Sequence, residues 1–444
     1  MSPPHTSTTA PGASAIGDNA SRGTRWQRLR QRWQALGPGL ITGAADDDPS
    51  GIATYTQAGA QMGYGLLWTV VLTWPLMVAI QSISARIGHV SGQGLASAMR
   101  QVWPRWLVGA LVLLLVGANT LNIAADLAAM GEVMHGLGLG PSQLWALLLG
   151  GVCVVWPVLL SYTRVVRWLK WLTLSLLAYV LVSLWMKVDW RAALWASVWP
   201  SGLGGHETSM TAVMTVVALL GTTLSPYLFF WQAAQEAELR RDHTAPWPTR
   251  RALRRIAWDT RVGMFVSNLI AWFVVVSAAG TLHANGITQV NTTAQAAQAL
   301  RPLAGDAAYA LFTLGILGTG LLAVPVLAGS AAYAVAEFAG WPASLSLRLE
   351  RGEGRGFYGV LALACLGGVA LCFTPSDPMQ ELYWAAVANG VAAVPLMVAV
   401  MLLAAKPEVM RQYTVRGALR WLGWLATGLM AVAVALSWWP LSAH

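Results

Sequence analysis

GPGLITGAADDDPSGIATYTQAGAQMGYG, residues 37–65, opens as an apolar helix, breaks at Asp46-Asp47-Asp48-Pro49-Ser50-Gly51 and then resumes as a helix. The stretch is long enough to cross a hydrocarbon core of ~30 Å, yet it carries three consecutive carboxylates at its middle. A carboxylate at the centre of a spanning helix costs about 2.5–3.5 kcal/mol, so three at full depth cost roughly 8–10 kcal/mol. Pro49 lacks an N–H and Gly51 tolerates unusual backbone angles, so the helix is expected to unwind here. Unwound backbone survives at membrane depth only where it lines a cavity or is buried in protein. The segment therefore reads as a discontinuous span that carries a site.

The rest of the chain agrees with a membrane setting. Of its 444 residues 56% are hydrophobic and only 11% are charged, with a mean hydropathy of +0.54. Soluble domains carry about 25% charged residues, so an all-α integral membrane protein is expected. About eleven apolar runs reach spanning length, at 38–62, 65–87, 104–134, 142–161, 166–187, 209–236, 259–280, 306–333, 356–374, 379–404 and 419–439. The sixth, TAVMTVVALLGTTLSPYLFFWQAAQEAE at 211–238, is interrupted like the first, with Pro226 following Gly221-Thr222-Thr223. If spans 1–5 and 6–10 are two halves, the odd count inverts the second half. The two broken helices then meet at a central site, the plan of a 5+5 inverted-repeat secondary transporter.

The charges predict an orientation. With the N-terminus in the cytoplasm, 25 of the 28 Lys and Arg fall on inward loops or span ends; only Lys187, Arg191 and Arg301 do not. This places the C-terminus outside. The net charge of +9 is thereby explained by topology rather than by nucleic acid. Residues 1–36 read as a disordered, basic cytoplasmic tail, 37–404 as a ten-helix transport core, and 405–444 as a cytoplasmic loop followed by an eleventh spanning helix. The Ser-, Thr- and Pro-rich start is not read as a secretory signal, because the basic run Arg22 to Arg32 follows it. Cys153, Cys365 and Cys372 lack metal-site spacing and read as core residues. Many of the 24 tryptophans, such as Trp103, Trp106 and Trp199, stand near span ends, as interfacial anchors do.

The break at Asp48 suits a cation. One carboxylate with freed carbonyls, such as those of Ala45 and Thr222, is an oxygen site of the kind Mg²⁺, Mn²⁺ and Ca²⁺ accept. An anionic substrate would need the bare positive end of a half-helix instead. Asp46 and Asp47 are expected to face a vestibule or cap the second half-helix, with Asp47 a candidate on the substrate path. Asp126, deep in the third span, is either a functional carboxylate or a structural, paired one.

At these residues the chain resembles the Nramp-type divalent metal transporters, which have the LeuT-like fold. That family carries an Asp-Pro-Gly-Asn motif in its first helix and a Met-Pro-His motif in its sixth. The corresponding residues are Asp48-Pro49-Ser50-Gly51 and Ser225-Pro226-Tyr227. Ala53-Thr54, the run Gly63 to Trp68, and Ala124-Ala125-Asp126-Leu127-Ala128 also fit. The resemblance implies a metal site at Asp48, Ala45, Thr222, Ser225 and Gly51, with a proton pathway through Asp126 and Asp48. The departures are informative: the family's asparagine ligand maps to Gly51, its thioether to Ser225, and its two sixth-helix histidines to Tyr227 and Gln232. The acidic residue after the third-helix aspartate maps to Ala129. Loss of soft sulfur favours hard cations, as in the Nramp-related branch associated with Mg²⁺. Tyr227, Gln232 and Asn389 are further candidates on the substrate path.

The expectation is a multi-pass cell-membrane transporter of Mg²⁺ and/or Mn²⁺, working by alternating access and coupled to protons if Asp126 serves. It needs no cofactor beyond its transported ion, and no partner beyond lipid and metal. The alternatives are a strictly Mn²⁺-selective proton symporter and a sodium-coupled organic-solute transporter on the same fold; the Asp-Pro break opposes the latter. No GxSxG, HExxH or P-loop pattern supports an enzyme.

Overall fold

Proline and its preceding residue set the first two helices. The computed structural model describes residues 37–159, 176–186, 188–200, 209–242, 250–347, 353–374 and 377–438, and all of its regular elements are helical. Helix α1 (Pro38–Asp46) ends where the acidic run begins, and α2 (Pro49–Met62) starts with Pro49 in its first turn, where a missing N–H is harmless. Helix α3 is Leu67–Ser91, closed by Gly92 in the left-handed conformation; α4 is Leu95–Arg100 and α5 is Arg105–Gly136. Then follow α6 (Ser142–Leu159), α7 (Leu177–Trp185) and α8 (Trp190–Val198). The second break separates α9 (Ser209–Thr223) from α10 (Pro226–Asp242), again with proline opening the second piece. The chain continues through α11 (Arg250–Thr281), α12 (Thr293–Ala297), α13 (Arg301–Ala304), α14 (Ala308–Ala339) and α15 (Arg355–Leu371). It finishes with α16 (Pro378–Ala404), α17 (Pro407–Met410) and α18 (Ala418–Trp438).

Among the described residues, seven helical runs are long and apolar enough to cross a membrane. The broken pair α1 and α2, the shorter apolar helices α6 and α15, and α7 occupy the remaining expected spans. The first part of the fifth span, the basic loop at Arg164, Arg167 and Lys170, and the tail 1–36 lie outside the described residues. Large apolar side chains such as Trp106, Leu113, Leu184 and Trp421 are exposed, as on a surface whose solvent is lipid.

The packing is reciprocal, as an inverted repeat requires. Helix α10, from the second break, packs on α3; α11, the equivalent of α3, packs on α1 and α2 from the first break. Helices α5 and α14, which are equivalent to each other, pack together. Small residues allow these close crossings. A side chain on Gly43 would strike the backbone of Gly263, so α1 lies directly on α11.

Candidate functional site

The two breaks face one another at Gly51 and Thr222. A methyl group built on Gly51 would stand 3.3 Å from Thr222 Oγ1 and equally far from the Asp46 carbonyl oxygen. The Thr222 hydroxyl is buried and has no hydrogen-bond partner. Glycine at position 51 thus lets the head of α2 approach the end of α9.

Asp48 caps α2. Its Oδ1 accepts from the Gly51 N–H at 2.7 Å and from Ser50 Oγ at 2.9 Å, which satisfies orphan donors of the first turn. Its Oδ2 faces the Tyr227 hydroxyl at 3.4 Å. That hydroxyl donates to the Ala45 carbonyl at 2.9 Å. Tyr227 therefore bridges a carbonyl freed at the end of α1 and the carboxylate at the head of α2. Ser225 plays the matching part at the second break, donating to the carbonyls of Gly221 at 2.9 Å and Thr222 at 2.7 Å. Asp48, Ala45, Thr222, Ser225, Gly51 and Tyr227 are all at most lightly accessible to solvent. Of these, the side chains of Asp48, Thr222, Ser225 and Tyr227 offer oxygen at the two breaks.

Asp126 of α5 is wholly buried. It faces the charge of Asp48 and the backbone of Ser50. Asp46 and Asp47 do not open on a vestibule; both accept from Ser267 of α11, at 2.5 and 3.0 Å. Among the described residues, the ion pairs are His89 with Glu236 and Arg255 with Glu236, so none of these four carboxylates has a cationic partner there. Nor do three or more His, Cys, Asp and Glu side chains converge there as a metal cluster. Gln232 lies further along α10 and donates to Thr260 at 2.8 Å. Asn389 is buried with its amide unpartnered, on the α16 segment that crosses α9 beside Gly390.

The two ends of the bundle differ. Beyond α2 lies a cavity of about 320 Å³, lined in part by Ala53, Gln57, Gln61, Gln289, Asn291 and Tyr383. At the other end α1 is tied down: the N–H groups of Gly37 and Gly39 donate to the Asp259 carboxylate at 3.0 and 2.8 Å. Nearby, Arg255 pairs with Glu236 at 2.7 Å.

Sequence reasoning missed Ser267, Tyr55 and Asp259. Ser267-Asn268 interrupts an apolar run, MFVSNLIAW, and that polar pair was the available signal. Tyr55 carries no comparable signal in the sequence, and its hydroxyl is buried and unpartnered near the acidic run.

Comparison with known proteins gives the site a setting. The profile of the Natural resistance-associated macrophage protein-like (Nramp) family matches residues 39–440. The divalent metal cation transporter MntH of Deinococcus radiodurans is 30% identical over 321 residues, covering 69% of this chain and 70% of that protein. MntH of Aeromonas hydrophila is 28% identical over 64% of this chain and 69% of its own length. In fold, the chain is similar to the Eremococcus coleocola manganese transporter solved with an aromatic bis-isothiourea substituted compound. The TM-score is 0.77 at 16% identity, over 96% of this chain and 90% of that one. Mhp1, a nucleobase-cation-symport-1 family transporter, is a more distant neighbour, with a TM-score of 0.54 at 12% identity over 91% and 92% of the two chains.

Proposed function

The chain belongs to the Nramp family of divalent metal cation transporters, a multi-pass membrane protein, and from that premise we propose that it carries Mg²⁺ and Mn²⁺ by alternating access at an oxygen-only site centred on Asp48. The observation that carries the reading is the facing of two helix breaks, with a buried carboxylate at the head of α2 whose hydrogen-bond partners, among the described residues, are nitrogen and oxygen groups. A divalent ion there takes Asp48 as its charged ligand. Ala45 and Thr222 offer neutral oxygens once the hydroxyls of Tyr227 and Ser225 turn aside. Hard oxygen ligands do not discriminate against Mg²⁺ as a thioether does.

Alternating access follows from the asymmetry of the bundle. A cavity opens beyond α2 at one end of the bundle, while the Asp259 carboxylate ties down α1 at the other. With the basic loops inside, that cavity faces the exterior, and the C-terminus is extracytoplasmic. Asp126, buried near Asp48 and the backbone of Ser50, is the group for proton coupling.

The test is uptake by purified protein in proteoliposomes, across a panel of Mg²⁺, Mn²⁺, Ca²⁺ and Cd²⁺, with an internal pH dye. Wild-type protein takes up Mg²⁺ and Mn²⁺, and Asp48→Ala takes up neither. Metal entry without acidification under any gradient removes the proton step. A strictly Mn²⁺-selective symporter, the reading favoured by the manganese transporter among its structural relatives, would leave Mg²⁺ outside.

A further inference from the structure

Asp46, Asp47 and Ser267 hold more oxygen than hydrogen. The Ser267 hydroxyl lies 2.5 Å from Asp46 Oδ2 and 3.0 Å from Asp47 Oδ1, yet it has one hydrogen to give. Asp46 Oδ1 is buried and has no partner at all. Two carboxylates thus share one hydroxyl hydrogen, and Asp46 Oδ1 is left without any. Asp46 is 1% exposed and Asp47 is 3% exposed, so bulk water does not answer them.

A separate element points at the same spot. Tyr55 of α2 is 1% exposed, and its hydroxyl makes no hydrogen bond. Its ring edge and the Asp46 backbone flank Gly51 together, each 3.3 Å from the position of a methyl group there. Its strongest charge interaction is with Asp46, then Asp47, then Asp48. The Tyr55 hydroxyl is thus one more buried oxygen near the acidic run that bonds to neither carboxylate. No cationic side chain answers these carboxyl groups among the described residues. Asp46, Asp47, Asp48 and Asp126 are all buried, and no described ion pair includes any of them.

We propose that Asp46, Asp47, Ser267 and Tyr55 form a second site for a hard, oxygen-seeking cation, distinct from the transport site at Asp48. Anionic and hydroxyl oxygens without nitrogen or sulfur suit Mg²⁺ or Na⁺ and do not favour soft metals. The cation joins α1 to α11, so its occupancy fixes the half-helix that ends at the transport site. The site does not depend on which ion Asp48 carries.

Equilibrium dialysis of the purified full chain tests this, with ²⁸Mg²⁺ and ²²Na⁺ in separate arms. Asp48→Ala protein is used so that the transport site does not contribute. It is expected to bind one cation per chain in at least one arm, and the arm that binds identifies the cation. Adding Asp46→Asn and Asp47→Asn is expected to weaken that binding by at least about tenfold. If the triple variant is not monodisperse, Ser267→Ala in the Asp48→Ala background replaces it: weaker binding supports the site, and unchanged affinity overturns it. Asp48→Ala protein that binds neither tracer overturns the proposal, as does binding that survives in the triple variant. If Asp48→Ala still transported metal, the transport reading would fail while this count stood on its own.

Discussion

Tyr227→Phe removes a single oxygen and separates two roles that the hydroxyl could have. In the structure the hydroxyl donates to the Ala45 carbonyl at 2.9 Å and lies 3.4 Å from Asp48 Oδ2. Both oxygens belong to the proposed metal shell, so the hydroxyl competes with the ion. The shorter bond carries the energy, because hydrogen bonds weaken with length. Its net worth is about 1 kcal/mol. A cation that must displace it loses that much, and deleting it should tighten the dissociation constant roughly fivefold. The ion-free protein moves the other way. The Ala45 carbonyl is left buried without its donor, at a cost of about 1–3 kcal/mol. Phenylalanine should therefore lower the melting temperature without metal and enlarge the rise that Mn²⁺ produces. Calorimetric titration with Mn²⁺ in detergent, paired with thermal unfolding, reads both. Weaker Mn²⁺ binding in the variant would refute the reasoning, because it would make the hydroxyl itself a ligand.

Two other substitutions probe the second break. Ser225→Met supplies a thioether beside Asp48 and frees the carbonyls of Gly221 and Thr222; competition uptake should shift toward Cd²⁺ and Mn²⁺ over Mg²⁺ by at least about fivefold. Gly221→Ala drives a methyl group into the Ala386 carbonyl and to within 2.7 Å of the Gly390 nitrogen, backbone that cannot rotate away. It should cost at least about 2 kcal/mol by overpacking, read as a lower yield and melting temperature, whereas a wild-type melting curve would mean that α9 and α16 do not cross there.

The breaks were legible because their causes are local. Asp48-Pro49 and Ser225-Pro226 each end one helix and start another through missing N–H groups and capping oxygens, and the structure places α1/α2 and α9/α10 accordingly. Seven of the expected spans, which stand as long apolar helices among the described residues, were legible because apolar runs of spanning length leave few choices. The partners of the site were not. Ser267 reaches Asp46 across 221 positions of sequence, and Tyr227 reaches Ala45 across 182. No local pattern encodes such contacts; they arise from the reciprocal packing of two inverted halves. The expectation that Asp46 and Asp47 face a vestibule or cap α2 rested on the cost of burying charge. The structure buries both and gives them one serine. Asp48 alone accepts from the Gly51 N–H, so it is the capping residue of the three.

Crystals of the full chain grown with Mn²⁺, and data recorded at the manganese edge, test the central claim most directly. An anomalous peak between the α1/α2 break and the α9/α10 break, in coordination range of the Asp48 carboxylate, is the expected result. A fully occupied Mn²⁺ peak elsewhere in the bundle, with Asp48 still bonded only to Gly51, Ser50 and Tyr227, would contradict it.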